Sequence, residues 1–290
     1  MKIDNKVWVN KRFVDIDKAA VSVFDRGFLY GDGVFETMRC YAGVVFSLDE
    51  HLKRLYSSLR AALIRPPVPR KRLEALIYKT VHVNKVKSAY VRVAVTRGEG
   101  RLAIGHMDTF DPTLVIIAKR FDDYPAWMHD KGVSAVIAST RQNEYTILSR
   151  IKSHNFMNYI LARSEAQERG YDEAIILNTK AQVVEAVTSN IFLVKGRTII
   201  TPALVCGVLP GITRATVLEI ARRLRFRVKE KAVTPNELLN ADEVFFTNSL
   251  AEILPVRKIG RRRIGSGRPG QTTQLLRICY QKEVIKAVLR

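Results

Sequence analysis

Cysteine is scarce in this chain. Cys40, Cys206 and Cys279 are three in number and far apart, which argues against a disulfide framework and against a zinc site and fits a reducing compartment. No other metal-ligand spacing stands out. Long apolar runs are also missing. No stretch approaches the roughly 20 residues of a membrane span, and the N-terminal "MKIDNKVWVNKRFVD" has no apolar core of signal-peptide length. A soluble, cytoplasmic protein without a membrane partner is the expectation. Acidic residues are short too: 28 Asp and Glu stand against 48 Lys and Arg, a net charge of +20. Such an excess favours anionic partners, whether nucleic acid, acidic lipid or a phosphorylated or carboxylate ligand. The densest basic run, "GRRRIGSGRPG" (260–270), is glycine-rich and reads as a solvated turn. No aromatic-rich RNA motif accompanies it, so nucleic acid is the weaker reading. Internal repeats and low-complexity segments are absent.

What is present is a chain of 290 residues, 47% hydrophobic, enough for one large or two modest domains. "KVWVNKRFV" (6–14) reads as a hairpin around Asn10-Lys11, and "VFETMRCYAGVVFSL" (34–48) as a second, turning at Ala42-Gly43. "DEHLKRLYSSLRAAL" (49–63) is helical, with Leu52, Leu55, Leu59 and Leu63 on one face and Asp49 and Glu50 at its positive end. "AYVRVAVTRG" and "TLVIIAKRF" are strands joined by a glycine-containing loop. The pattern breaks at "FDDYPAWMHDKG". The expected division is an N-terminal α/β domain over 1–120, a linker over 121–131 and a C-terminal domain over 132–290. In the latter, strands recur ("VSAVIAST", "EAIILN", "QVVEAV", "NIFLVKG", "RTIITP", "EVFFTNS"), with a helix from Thr213 and a closing C-terminal helix.

Several residues could carry chemistry. Lys152, in "SRIKSHNFMNYILARSEA", precedes a helix whose Met157, Ile160 and Leu161 share a face. That face is expected to pack on the core and to pin Lys152 near the interior, where a neutral amine can attack a carbonyl. A solvated surface lysine is the plainer reading. Glu185 ends an apolar strand. It either faces water or pairs with a buried cation such as a protonated pyridine nitrogen. Gly211 lets backbone approach a ligand closely. The N–H groups of Ile212 and Thr213, with the Thr213 hydroxyl, make a ready anion site at a helix start. Thr247, Asn248 and Ser249 offer a second set of short donors, and Arg54 could bond a phosphate. Taken singly, each of these is better read as a plain cap, a turn or a surface arginine. Taken together, they are the parts of a pyridoxal-phosphate site.

Here the chain resembles a known family. "FDRGFLYGDGVFETMR", "HLKRL", "RIKSHN", "VVEAVTSNIF", "LPGITR", "DEVFFTNSLAEILPV" and "IGSGRPGQTT" resemble, in order and over nearly the whole chain, the class IV aminotransferases. These are fold type IV pyridoxal-phosphate enzymes that include branched-chain and D-amino-acid aminotransferases and aminodeoxychorismate lyase. The resemblance implies an α/β (α+β) fold, with a small N-terminal α/β domain and a larger C-terminal pseudo-barrel domain. It implies pyridoxal 5′-phosphate held as a Schiff base on Lys152, Glu185 on the pyridine nitrogen, and the phosphate held by Arg54, Gly211, Ile212, Thr213, Thr247, Asn248 and Ser249. It puts Phe28, Tyr30, Phe35, Thr37, Tyr90, Arg92 and Arg101 near the substrate, and it implies a homodimer or higher homo-oligomer. One departure stands out. Many members have a tyrosine where this chain has Phe156, so the cofactor's phenolate oxygen is supported by Tyr159, by a water or by no such group.

Two reactions fit the resemblance. A transaminase moves an amino group between an amino acid and a keto acid in a ping-pong cycle. A 4-amino-4-deoxychorismate lyase releases pyruvate and p-aminobenzoate. Thr37, "KSHN" and "TNSLAEI" resemble the lyases. "YVR", "VTRGEGRLAIG" and "IGSGRPGQTT" resemble the transaminases, the larger group, and an amino-acid transaminase is the favoured expectation.

Overall fold

A computed structural model describes residues 5–102, 104 and 111–289. Residues 103 and 105–110, in the loop between the two central N-terminal strands and including part of "VTRGEGRLAIG", fall outside the described residues. The chain divides into two compact units. The first comprises Met1–Asp122, Ile151–Asn155 and Ala287–Arg290, and the second Asp123–Arg150 and Phe156–Lys286. The chain thus crosses back into the first unit for the five residues around Lys152, a crossing that a division at 121–131 does not contain.

In the first unit, β1 (Lys6–Val9) and β2 (Arg12–Asp15) form the hairpin at Asn10. Then come α1 (Arg26–Tyr30), β3 (Gly33–Tyr41), β4 (Val44–Val45), α2 (Leu48–Ala61), α3 (Arg70–Val83), β5 (Ala89–Thr96) and β6 (Leu114–Arg120). β3 turns into β4 through Ala42 and Gly43, both at positive φ (49° and 90°), the conformation of a tight hairpin turn. The six strands form one sheet, β2-β1-β6-β5-β3-β4, in which every pairing is antiparallel. Side chains alternate across it. Val34, Met38 and Cys40 of β3 and Ala89, Val91, Val93 and Val95 of β5 are buried in one cluster with Leu52, Leu55 and Leu59 of α2 and Leu73 and Ile77 of α3. α3, unread in the sequence, completes that layer. The opposite face carries Phe35 and Thr37 of β3 and Tyr90 and Arg92 of β5, with Thr37 paired to Arg92.

The second unit holds α4 (Ala126–Asp130), β7 (Val133–Gln142), α5 (Met157–Glu168), β8 (Glu173–Asn178), β9 (Val183–Ala186), β10 (Asn190–Lys195), β11 (Thr198–Pro202), α6 (Ile212–Arg223), β12 (Arg227–Lys231), α7 (Pro235–Leu239), β13 (Glu243–Asn248), β14 (Glu252–Ile259) and β15 (Arg262–Arg263). α8 (Gln271–Val288) starts here and ends among the residues of the first unit. The sheet runs β12-β11-β10-β13-β14-β7-β8-β9, with β15 on β14. It curls so that its end strand β9 lies against β10 and β11, the half-barrel expected from the resemblance. Among the described residues no helix is long and apolar enough to cross a membrane.

One expectation fails. Met157, Ile160 and Leu161 are exposed (66%, 53% and 53%), while Ala162 and Ala166 are fully buried. α5 packs through its small-residue face, with Tyr159, against Val136 and Ala138 of β7 and Ala174 and Ile176 of β8. Residues 159, 162 and 166 lie on one side of a helix of 3.6 residues per turn, and 157, 160 and 161 fall outside it. Burial of α5 therefore does not pin Lys152. The backbone does, as follows.

Candidate active site

The segment Ile151–Asn155 is an extra, strand-like partner of β3. The Phe35 N–H donates to the Lys152 carbonyl, the His154 N–H donates to the Gly33 carbonyl, and Val34 and Ser153 form a bridge pair. The approach requires glycine at 33, since a Cβ there would sit 2.7 Å from His154 Nδ1. The pairing brings Lys152 Nζ to 4.5 Å from the centre of the Phe35 ring, where the Arg92 guanidinium also lies, at 3.8 Å. The His154 ring is 5.6 Å from the same ring. Lys152, Phe35 and Arg92, far apart in sequence, are thus neighbours on one face of one sheet, with Thr37 and Tyr90 on that face. Phe28 and Tyr30 are exposed on α1 (74% and 42%). Arg101 is exposed in the loop that is described only in part.

His154 was not among the expected site residues. Its Nε2 is buried without a hydrogen-bond partner. Burial, reinforced by the positive charge of Arg92 and opposed by Asp25, pushes the imidazole down to about 4. Asp25, from the "FDRG" motif, is itself structural. Its carboxylate caps α1 at the Gly27 N–H and accepts from Thr96 and Thr113.

Arg54 lies on α2, and its guanidinium forms a two-point ion pair with Glu36 of β3: Nε to Oε1 and Nη2 to Oε2, both 2.7 Å. His51, one turn earlier, places Nδ1 2.7 Å from Glu36 Oε2. Glu36 has no exposed surface. Burial alone would raise its carboxyl, but Arg54 and His51 bring it down to about 2.

In the second unit Glu185 is buried, and its carboxylate accepts hydrogen bonds from two side chains and a backbone group. Tyr159 donates to Oε1 (3.2 Å), and Asn190 Nδ2 (3.1 Å) and the Leu209 N–H (3.3 Å) donate to Oε2. Gln142 in turn donates to the Tyr159 hydroxyl. Burial and the neighbouring carboxylate push that hydroxyl well above its ordinary range, so Tyr159 serves Glu185 as a proton-bearing donor. Phe156 lies beside it with its ring tilted by 37°, ring centres 5.1 Å apart.

Asn190 joins the rest of this half. It also donates to the Leu209 carbonyl, it pairs across strands with Thr247, and its Oδ1 occupies the place of a Gly211 Cβ, 1.9 Å from where that atom would be. Gly211 precedes α6 without a side-chain cap, which leaves the N–H groups of Ile212 and Thr213 at an uncapped helix start. The Thr247 hydroxyl is buried with no partner. Asn248 shapes its turn instead: Oδ1 accepts from the Leu250 and Ala251 N–H groups and Nδ2 donates to Ser189. Ser249 lies in the same turn. An orphaned hydroxyl and an uncapped helix start call for an anion with several acceptor oxygens. A buried carboxylate suits a cationic ring nitrogen. These residues fit a pyridoxal phosphate.

The family profile of class IV amino-transferases matches residues 33–259. The chain belongs to the class IV aminotransferases. Such enzymes depend on pyridoxal phosphate, and this aminotransferase is similar to a Methanocaldococcus jannaschii protein named for branched-chain-amino-acid aminotransferase activity (39% identical, 94% of each chain). It is similar at 34% identity to the D-alanine aminotransferase of Bacillus licheniformis (97% of each chain) and to the aminodeoxychorismate lyase of Bacillus subtilis (96% of this chain, 94% of the other). The solved branched-chain amino acid aminotransferase of Thermobaculum terrenum, in its pyridoxal-phosphate holo form, has a TM-score of 0.88 at 29% identity, covering 99% of this chain and 96% of that one.

His154 provides a test of the geometry around Lys152. The folded protein holds its imidazole neutral down to about pH 4, whereas an unfolded chain takes up the proton near 6.5. His154 therefore costs no stability above pH 6.5 and lowers stability progressively as pH falls from there towards 4. Imidazole nitrogen NMR shifts for His154 should stay flat from pH 8 to pH 5; a midpoint near 6.5 would contradict the burial.

Proposed function

We propose that this aminotransferase takes its amino group from branched-chain amino acids and passes it to a 2-oxo acid, with Lys152 as the catalytic residue. The observation that carries the reading is the shared sheet face. Phe35, Thr37, Tyr90 and Arg92 form an apolar, aromatic wall with one guanidinium, and the Lys152 amine lies over its central ring. Such a wall suits an amino acid with an aliphatic side chain and a carboxylate. The higher identity to the M. jannaschii protein than to the D-alanine enzyme or the lyase supports the same choice.

When bound, pyridoxal phosphate supplies an electron sink for the charge left at the substrate's Cα and carries the amino group between half-reactions. Lys152 would hold the cofactor's aldehyde carbon between turnovers. Its amine would also serve as the base that holds the proton lost from the substrate's Cα. Glu185 would pair with the pyridine nitrogen. The hydrogen bonds it accepts fix the orientation of its carboxylate for that contact. Arg54, the α6 start at Gly211, Ile212 and Thr213, and the β13 turn at Thr247, Asn248 and Ser249 would hold the phosphate. Arg92 and Tyr90 would orient the substrate carboxylate, Thr37 and Phe35 its side chain, and Phe28, Tyr30 and Arg101 the outer part of the site. We also infer a homo-oligomer, for which the exposed Phe28, Met157, Ile160 and Leu161 are the support.

Two measurements check these readings. Cofactor-loaded protein mixed with L-leucine, L-glutamate, D-alanine or D-glutamate, without a keto acid, should convert its absorbance to that of the pyridoxamine form, fastest with L-leucine. A faster response to D-alanine would overturn the substrate class. No response to any donor, with p-aminobenzoate released from aminodeoxychorismate, would make the chain a lyase. Light scattering should give a multiple of the 32.9 kDa chain mass; a monomer at micromolar concentration would remove the oligomer.

A further inference from the structure

We infer that Glu36 is a positioning residue for the cofactor's phosphate, acting through Arg54. The inference rests on the reading of Arg54 as a phosphate ligand. β3 alternates: Phe35 and Thr37 face the proposed substrate wall, while Val34, Glu36 and Met38 face the core under α2. A carboxylate among those apolar side chains is costly. Stability alone is as well served there by an apolar residue of similar volume. What the carboxylate adds is geometry. Its two oxygens match the Arg54 fork at 2.7 Å each, and a two-point pair fixes the plane of a guanidinium that is otherwise at the end of a long flexible side chain. His51 closes the other side of the same carboxylate at 2.7 Å, which keeps Glu36 from turning away. Glu36 has no exposed side-chain surface and Arg54 keeps 11%, so the cluster meets its surroundings through Arg54. The result is a preset cation, aimed before the anion arrives, so that less ordering is left to be done on binding.

The experiment compares affinity for pyridoxal phosphate with affinity for pyridoxal, which lacks the phosphate, in the full-length chain stripped of cofactor. Four variants are used beside the unaltered protein: Glu36→Gln, Glu36→Asp, Arg54→Met, and Glu36→Gln combined with Arg54→Met. Glu36→Gln should reduce the preference for the phosphorylated form about tenfold while pyridoxal binding, which reports an intact fold, stays unchanged. Glu36→Asp, which keeps the charge on a shorter arm, should lose less. The double variant should lose no more than Arg54→Met alone, because both changes remove one unit. A full preference in Glu36→Gln overturns the inference, as does a loss that adds to that of Arg54→Met. If Glu36→Gln does not fold, the Asp variant decides alone: full preference there overturns the inference, and a partial, phosphate-specific loss supports it. An unchanged preference in Arg54→Met is a different failure, since it removes Arg54 from the phosphate and the inference falls with it.

Discussion

The pairing of Ile151–Asn155 with the start of β3 is the constraint on which the proposed chemistry depends. Residues 150 and 156, immediately on either side, belong to the second unit, yet these five belong to the first, where they hydrogen-bond to Gly33 and Phe35. Two backbone hydrogen bonds thereby decide which sheet carries the Lys152 amine. Backbone pairing of this kind is insensitive to side-chain identity, and that explains how "RIKSHN" can have a surface-exposed helix face after it and a buried histidine within it. Glycine at 33 is the price of the close approach.

Buried carboxylates do the complementary work. Glu185 and Glu36 sit in different units and share two features: each is a carboxylate shielded from solvent and held by several donors. Around Glu185 a phenol, an amide and a backbone N–H donate, all of them neutral groups. Around Glu36 one partner is the Arg54 guanidinium itself. A guanidinium cancels the charge and is itself aligned by it, which suits orientation. Asn190 extends the first arrangement to the turns proposed to hold the phosphate, since it meets Glu185, the Leu209 carbonyl and the open side of Gly211 together.

Much of this was legible in the sequence because the relevant residues interrupt a pattern. Lys152 stands at a seam, Glu185 ends an apolar strand, Gly211 opens a helix, and Thr247 ends a strand that enters a turn. Strands β3, β5, β6 and β13 and helix α2 followed from periodicity. The residues that were missed carry no such signal of their own. Glu36 reads as one more strand residue, although its neighbours two positions away, Val34 and Met38, are core residues, and that parity was the available signal. Asn190 opens β10 directly after the bend at 187–189 and reads there as an ordinary turn residue. His154 owes its place to a pairing more than a hundred residues back in the chain, at Gly33, which no local pattern encodes. α5 misled because its large apolar side chains are on the exposed side while two alanines make the contact. Size marked the wrong face, and small residues marked the one that packs. "IGSGRPGQTT" was read as a family segment. Its role in the structure is to start α8, where Glu243 accepts from the Thr272 and Thr273 N–H groups.

The most direct test of the central claim is to find where the cofactor is attached. Holoenzyme is treated with borohydride, which fixes a pyridoxal–lysine linkage, then digested and mapped by mass spectrometry. The account predicts one phosphopyridoxyl group, on the peptide containing Lys152. Labelling of another lysine, or none in a protein that carries the cofactor's colour, would contradict it.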